Sequence, residues 1–87
     1  MRVLIVEDEK RLAQALGQIM EEQHYQVDIV YDGADGLDYG LAGEYDLILL
    51  DLMLPGCNGY DVCRLIRDKI DIPILMVTAR TESVDKV

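Results

Sequence analysis

The chain has 87 residues, of which 51% are hydrophobic, so a single folded domain is expected rather than a disordered segment. Its 17 acidic residues against 8 lysines and arginines give a formal net charge of −9. Because nucleic acids and anionic membranes attract basic surfaces, this charge disfavours direct contact with either, and DNA binding would need a separate basic domain. No stretch approaches the roughly 18 apolar residues of a membrane span, and the N-terminus lacks a signal-peptide pattern, so a cytoplasmic protein is expected.

Apolar runs alternate with helical patterns along the chain. Strands are predicted at residues 3–6, 27–30, 47–50 and 74–77. Three helices are predicted between them, with these inner faces: Leu12, Leu16, Ile19 and Met20; Ala34, Leu37 and Leu41; Val62, Leu65 and Ile66. A fourth helix is expected to begin at Thr81 or Ser83, either of which can cap it.

This alternation predicts an α/β fold, in which a parallel sheet carries helices on both faces. The second run, residues 27–30, contains an aspartate and is therefore expected nearer an edge of the sheet. The third run, residues 47–50, is continuously apolar, which indicates a central strand buried on both sides.

Acidic residues follow two of these strands. Glu7 and Asp8 come directly after the first strand, and Asp51 follows the third. Ligands of open α/β sheets bind beyond the carboxyl ends of the strands, so these carboxylates are expected to converge if the two strands are neighbours. Carboxylates without histidine or cysteine favour Mg²⁺ over zinc. The alternative is that Asp8 caps the first helix and Glu7 favours its positive end, and the two roles can coexist.

Thr78 ends the fourth strand and Ala79 follows it. A hydroxyl at this edge could donate to an anion held at Asp51, and the small Ala79 would leave the approach open. The alternative is that Thr78 is an ordinary β-forming residue at a strand end.

Three segments together resemble the receiver domains of bacterial response regulators: residues 4–9 (LIVEDE), 49–56 (LLDLMLPG) and 73–80 (PILMVTAR). The resemblance covers essentially the whole chain and is closest to the branch that carries a winged-helix DNA-binding domain. It implies a flavodoxin-like doubly wound parallel sheet of strand order 2-1-3-4-5. It also implies a cytoplasmic phosphorelay switch rather than an enzyme, phosphorylated by a sensor histidine kinase and acting on DNA only through an effector domain that this chain does not contain.

The resemblance also implies roles for individual residues. Asp51 would be the phosphoacceptor, and Mg²⁺ would be bound by Asp8, Asp51 and the backbone carbonyl of Met53, with Glu7 acting through a water. Thr78 would be the switch hydroxyl that turns toward the phosphoryl group, next to Ala79.

The chain departs from the family pattern at its end. The lysine that family members carry at the end of strand five, and the aromatic switch residue within that strand, have no counterpart in residues 1–87. We therefore expect residues 1–87 to be the N-terminal part of a receiver domain, truncated before strand five. A fragment with four strands would expose an apolar sheet edge, so a homodimer or a swapped assembly is expected.

Two other functions are open at this point. An aspartate-nucleophile phosphatase shares the acyl-phosphate chemistry, but such enzymes need a second aspartate two positions after the nucleophile, where this chain has Met53. A flavin or nucleotide module would need a phosphate-binding loop after the first strand, where acidic residues stand instead. A fragment that interacts with partners without being phosphorylated is a further alternative.

Overall fold

A computed structural model describes residues 1–54 and 57–77 of the chain. Its strands and helices are, in chain order, β1 (Arg2–Val6), α1 (Lys10–Glu22), β2 (Gln26–Val30), α2 (Gly33–Ala42), β3 (Leu47–Asp51), β4 (Met53–Leu54), β5 (Cys57–Asn58), α3 (Gly59–Arg67) and β6 (Ile74–Val77). The helix predicted from Thr81 or Ser83 lies outside the described residues. Among the described residues, no helix has the length and apolar character that a membrane span requires.

The main sheet is parallel and has the strand order β2-β1-β3-β6. This confirms the predicted α/β fold and its order, with β6 as the fourth strand of the sheet. β2 lies at an edge and β3 in the interior, as their polar and apolar compositions indicated. A strand covered by helices on both faces has apolar side chains on both sides, which is why residues 3–6 of β1 and 47–50 of β3 show no alternation.

Two hydrophobic clusters lie on opposite faces of this sheet. Side chains alternate between the faces of a strand, so Leu4 and Val6 join one cluster while Val3 and Ile5 join the other. The first cluster includes residues of α3, and the second includes Ala13 of α1. The helices thus cover both faces and leave the carboxyl ends of the strands free for a site.

Helix α1 ends at Glu22, and His24, just beyond it, has a backbone φ of 70°, in the left-handed region. The N–H of His24 donates to the carbonyl of Glu21 at 2.9 Å, and that of Tyr25 donates to the carbonyl of Met20 at 3.1 Å. This pair of bonds is a Schellman motif, which usually places a glycine where His24 stands.

The predicted inner faces are wrong at Ile19 in α1, at Ala34 and Leu41 in α2, and at Leu65 in α3, all of which are exposed. The side chains of Ile19, Leu41 and Leu65 are 52%, 39% and 47% exposed. In α3, the buried residues are Gly59, Val62, Cys63 and Ile66, and Leu65 points about 100° away from the centre of that face. In α2, the buried face is formed by glycines, because the helix backbone packs closely on β1 and neighbouring side chains.

A small polar cluster connects Arg2 at the start of β1, Asp28 in the middle of β2 and Tyr45 just before β3. The Tyr45 hydroxyl donates to Asp28 Oδ2 at 2.6 Å, and the Arg2 guanidinium lies 4.8 Å from the centre of the Tyr45 ring. Burial, together with the hydrogen bond to Asp28, raises the pKa of Tyr45 to about 12. These contacts fix β1, β2 and the segment before β3 relative to one another.

Candidate metal centre

The parallel register brings the acidic residues to one edge of the sheet. Val6 pairs with Leu50, so Glu7 and Asp51 are the next residues at the carboxyl ends of two neighbouring strands. Carboxylate oxygens of Glu7, Asp8 and Asp51 lie within 4.8 Å of one another. The structure therefore brings together the three acidic side chains that the sequence placed at this edge.

Glu7 is almost fully enclosed, with 1% of its surface exposed. Its Oε2 accepts a hydrogen bond from the Glu9 N–H at 3.0 Å, whereas its Oε1 is buried and has no partner among the described residues. Burial is the main cause that raises its pKa from 4.5 to about 7. The Glu9 hydrogen bond lowers the pKa, and the charge of Asp51 raises it further.

Asp51 is the last residue of β3 and is 4% exposed. Its Oδ1 accepts a hydrogen bond from the N–H of Met53 at 3.1 Å, a local turn that fixes the orientation of the carboxylate. The following peptide is held as well, since the Leu52 N–H donates to the carbonyl of Val77 at 3.0 Å. Asp51 thus pairs with Val77 of β6, and the preceding Leu50 pairs with Val6 of β1.

The donor set of this cluster fits a hard divalent cation. All the clustered side chains offer oxygen, and the buried Glu7 Oε1 is an acceptor without a donor among the described residues. Three anionic groups this close repel one another, and a cation such as Mg²⁺ would remove that cost. Asp8 is exposed, so the cluster is open to water and to a ligand on one side.

The remaining predicted site residues are divided between described and undescribed parts of the chain. Met53 lies in β4, directly after the loop residue Leu52, and its side chain is 52% exposed. Thr78 and Ala79 lie outside the described residues. Val77, the last described residue of β6, pairs with Asp51.

The sequence patterns did not predict the contact between the acidic edge and α3. The Oδ1 of Asn58 accepts a hydrogen bond from the Tyr60 N–H at 2.8 Å and so caps α3. Gly59 donates from its N–H to the carbonyl of Leu52, at 3.3 Å. An asparagine before a glycine at the start of an apolar helical pattern is a signal that could have indicated this cap.

Sequence comparison identifies the family. Residues 3–87 match the model of the response regulator receiver domain. A response regulator named ArlR from Staphylococcus saprophyticus is 50% identical over 86 residues, and so is one from Staphylococcus aureus. In each case the match covers 99% of this chain and 39% of the relative, so the chain spans about two fifths of the length of these curated relatives.

Solved structures agree with this result. The response regulator TrrA from Thermotoga maritima, in complex with Mg²⁺ and BeF, superposes with a TM-score of 0.88 at 32% identity, covering 99% of this chain and 76% of that one. The receiver domain of a sensor histidine kinase from Pseudomonas aeruginosa, with magnesium coordinated in its active-site cleft, gives a TM-score of 0.86 at 30% identity, covering 98% and 72%. The chain therefore belongs to the response regulator receiver domain family of two-component systems.

Proposed function

We propose that this domain accepts a phosphoryl group on Asp51 from the phosphohistidine of a sensor histidine kinase. The observation that carries the proposal is a buried carboxylate, rigidly held at the end of a central strand, beside two further carboxylates. In the reaction, an Asp51 oxygen attacks phosphorus and forms a P–O bond while the P–N bond breaks. The imidazole leaves with the electron pair of that bond and takes a proton from solvent.

The acidic edge supplies the groups that this reaction needs. Asp8, Asp51 and the carbonyl of Met53 would hold Mg²⁺ directly, and Glu7 would hold it through a water. When bound, the ion offsets the negative charge of the transferring oxygens. The Met53 N–H keeps the Asp51 carboxylate oriented for attack, since it donates to Oδ1. The solved structure of TrrA is a complex with Mg²⁺ and BeF, which supports an Mg²⁺ site here.

Thr78 and Ala79 belong to the proposal as the neighbours of the phosphoryl group. Thr78 directly follows Val77, which pairs with Asp51 in the sheet. Its hydroxyl would donate to a phosphoryl oxygen and draw the following segment toward the site. Ala79, with its small side chain, would leave room for the donor to approach.

We propose the wider role by analogy with the relatives named as response regulators. In the protein that carries this chain, phosphorylation would change the receiver surface and so control a DNA-binding output domain, in the cytoplasm. The net charge of −9 is consistent with an output carried elsewhere than on these residues.

We also propose that the open edge of β6 takes part in self-association. Among the described residues, β6 has a strand partner on one side only, and its Leu75 side chain is 56% exposed. An exposed apolar edge of this kind recruits another strand, and a second copy or a swapped element would supply it. Light scattering over a range of concentrations would test this, because a monomer at every concentration contradicts it.

The proposed acceptor is tested by labelling with acetyl phosphate and Mg²⁺. In the full-length protein, mass spectrometry should map the modification to Asp51, and Asp51→Asn should abolish it. Asp46→Asn is the matched control, since Asp46 is exposed and lies just before β3 at the opposite end of the sheet. Label that persists in Asp51→Asn, or that is lost equally in Asp46→Asn, would overturn the assignment.

A further inference from the structure

The start of helix α3 lies against the backbone that carries Asp51. Gly59 is the first residue of α3. A Cβ atom at this position would lie 2.5 Å from the carbonyl oxygen of Asp51 and 2.7 Å from the Cα of Leu52. Ordinary van der Waals contact begins at 3.4 Å, so a residue with a side chain does not fit this arrangement.

Neither side of this contact can yield easily, because the crowded atoms on both sides are backbone. On one side, Asp51 pairs with Val77 in the sheet. On the other, Val62 and Ile66 anchor α3 and are fully buried. A methyl group at position 59 would therefore force α3 and the Asp51 peptide apart by about 0.9 Å, which is the difference between 3.4 Å and 2.5 Å.

A second connection joins α3 to the same loop. Strands β4 and β5 pair in antiparallel fashion, with Met53 opposite Asn58. Met53 donates its N–H to Asp51 Oδ1 at 3.1 Å, and Asn58 accepts from the Tyr60 N–H at 2.8 Å. The chain of contacts from the Asp51 carboxylate through Met53 and Asn58 thus ends on the first turn of α3.

We propose that Gly59 is a positioning residue for the metal centre. Because it has no side chain, Gly59 lets α3 pack directly against the Asp51 peptide, and this packing fixes the Asp51 carboxylate and the Met53 carbonyl. The inference rests on the proposed function, because it concerns the ligands assigned there. Mg²⁺ demands a near-ideal octahedron with bonds of about 2.0–2.1 Å. A displacement of about 0.9 Å between α3 and the loop is large on that scale.

The test compares Mg²⁺ affinity with stability in the full-length protein. Gly59→Ala should weaken Mg²⁺ binding by about tenfold or more, the effect typical of residues that orient metal ligands. The matched control is Gly40→Ala, whose Cβ would lie 2.9 Å from the Cδ1 of Ile66 on α3. It disturbs the packing between α2 and α3 through a side chain that can rotate, so it should lower the melting temperature and leave the Mg²⁺ dissociation constant unchanged.

A folded Gly59→Ala protein with unchanged Mg²⁺ affinity would overturn the proposal, and so would an equal loss of affinity in Gly40→Ala. Should Gly59→Ala not fold, a Mg²⁺ titration of the unaltered protein by NMR decides the question. The amide of Gly59 should shift with the same dissociation constant as those of Asp51 and Met53. If Asp51 and Met53 respond while Gly59 does not, this inference alone is wrong. If none of them responds, the metal centre itself is wrong.

Discussion

Replacing Glu7 with glutamine should stabilise the metal-free protein, and the gain should depend on pH. The folded state raises the pKa of Glu7 from 4.5 to about 7, chiefly through burial. Between these values, the folded protein keeps a proton that the unfolded chain has released. The free energy of unfolding therefore falls as the pH rises through this window. The contribution is fully present below pH 4.5 and is lost by about pH 7.

The size of the effect follows from the shift. One pKa unit corresponds to about 1.4 kcal/mol, so a shift from 4.5 to about 7 amounts to about 3 kcal/mol. Glu7 is 1% exposed, so solvent screens this cost little. Glu7→Gln imitates the protonated carboxyl group, and its advantage over the unaltered protein should be small at pH 4.5 and reach about 3 kcal/mol above pH 7.

Urea denaturation in EDTA, between pH 5 and pH 8, measures this difference directly. Glu9→Gln serves as the control, because the Glu9 side chain is exposed and only its backbone N–H reaches Glu7. Saturating Mg²⁺ should then remove much of the difference, since the cation stabilises the ionised carboxylate that glutamine lacks. If the two proteins differ by a constant amount at every pH, the burial argument for Glu7 is refuted.

Two further substitutions test the packing. Gly36→Ala should lower the free energy of unfolding by about 1–3 kcal/mol, because its Cβ would lie 2.7 Å from a methyl group of Val6. Gly17→Ala should be close to neutral, so melting temperatures that fall equally in the two variants would contradict this. His24→Gly should raise the free energy of unfolding by about 0.5–1 kcal/mol, because glycine adopts the left-handed conformation without steric cost; a lower melting temperature would count against that reasoning.

Much of the fold was predictable because its signals are local. Residues 3–6 of β1 and 47–50 of β3 are continuously apolar, which is typical of a strand covered on both faces. The buried faces of the helices were predicted less well. An apolar residue beside the buried face follows the same three- or four-residue spacing as a buried residue, so the spacing does not distinguish them. Ile19 and Leu65 are such residues, and the sheet beneath them decides their exposure. The close packing of Gly36 has no hydrophobic signal at all.

The acidic cluster was predictable for a related reason, whereas its support was not. In a parallel sheet, residues that end neighbouring strands must meet, so Glu7 and Asp51 converge once the strand order is known. The contact of Gly59 with the Asp51 peptide depends instead on where α3 packs, which a pattern of residues does not specify. Strands β4 and β5 have two residues each, too few to show any periodicity.

The same geometry favours Asp51 over its acidic neighbours as the proposed acceptor. Glu7 and Asp51 are both buried, but burial raises the pKa of Glu7 to about 7, and a protonated carboxyl group is a poor nucleophile. Asp8 is exposed but lies in the turn between β1 and α1, outside any strand. Asp51 is paired within the sheet and has one carboxylate oxygen held by a backbone N–H. A nucleophile held in this way keeps the orientation needed for attack, and that advantage is lost when the group is free to rotate.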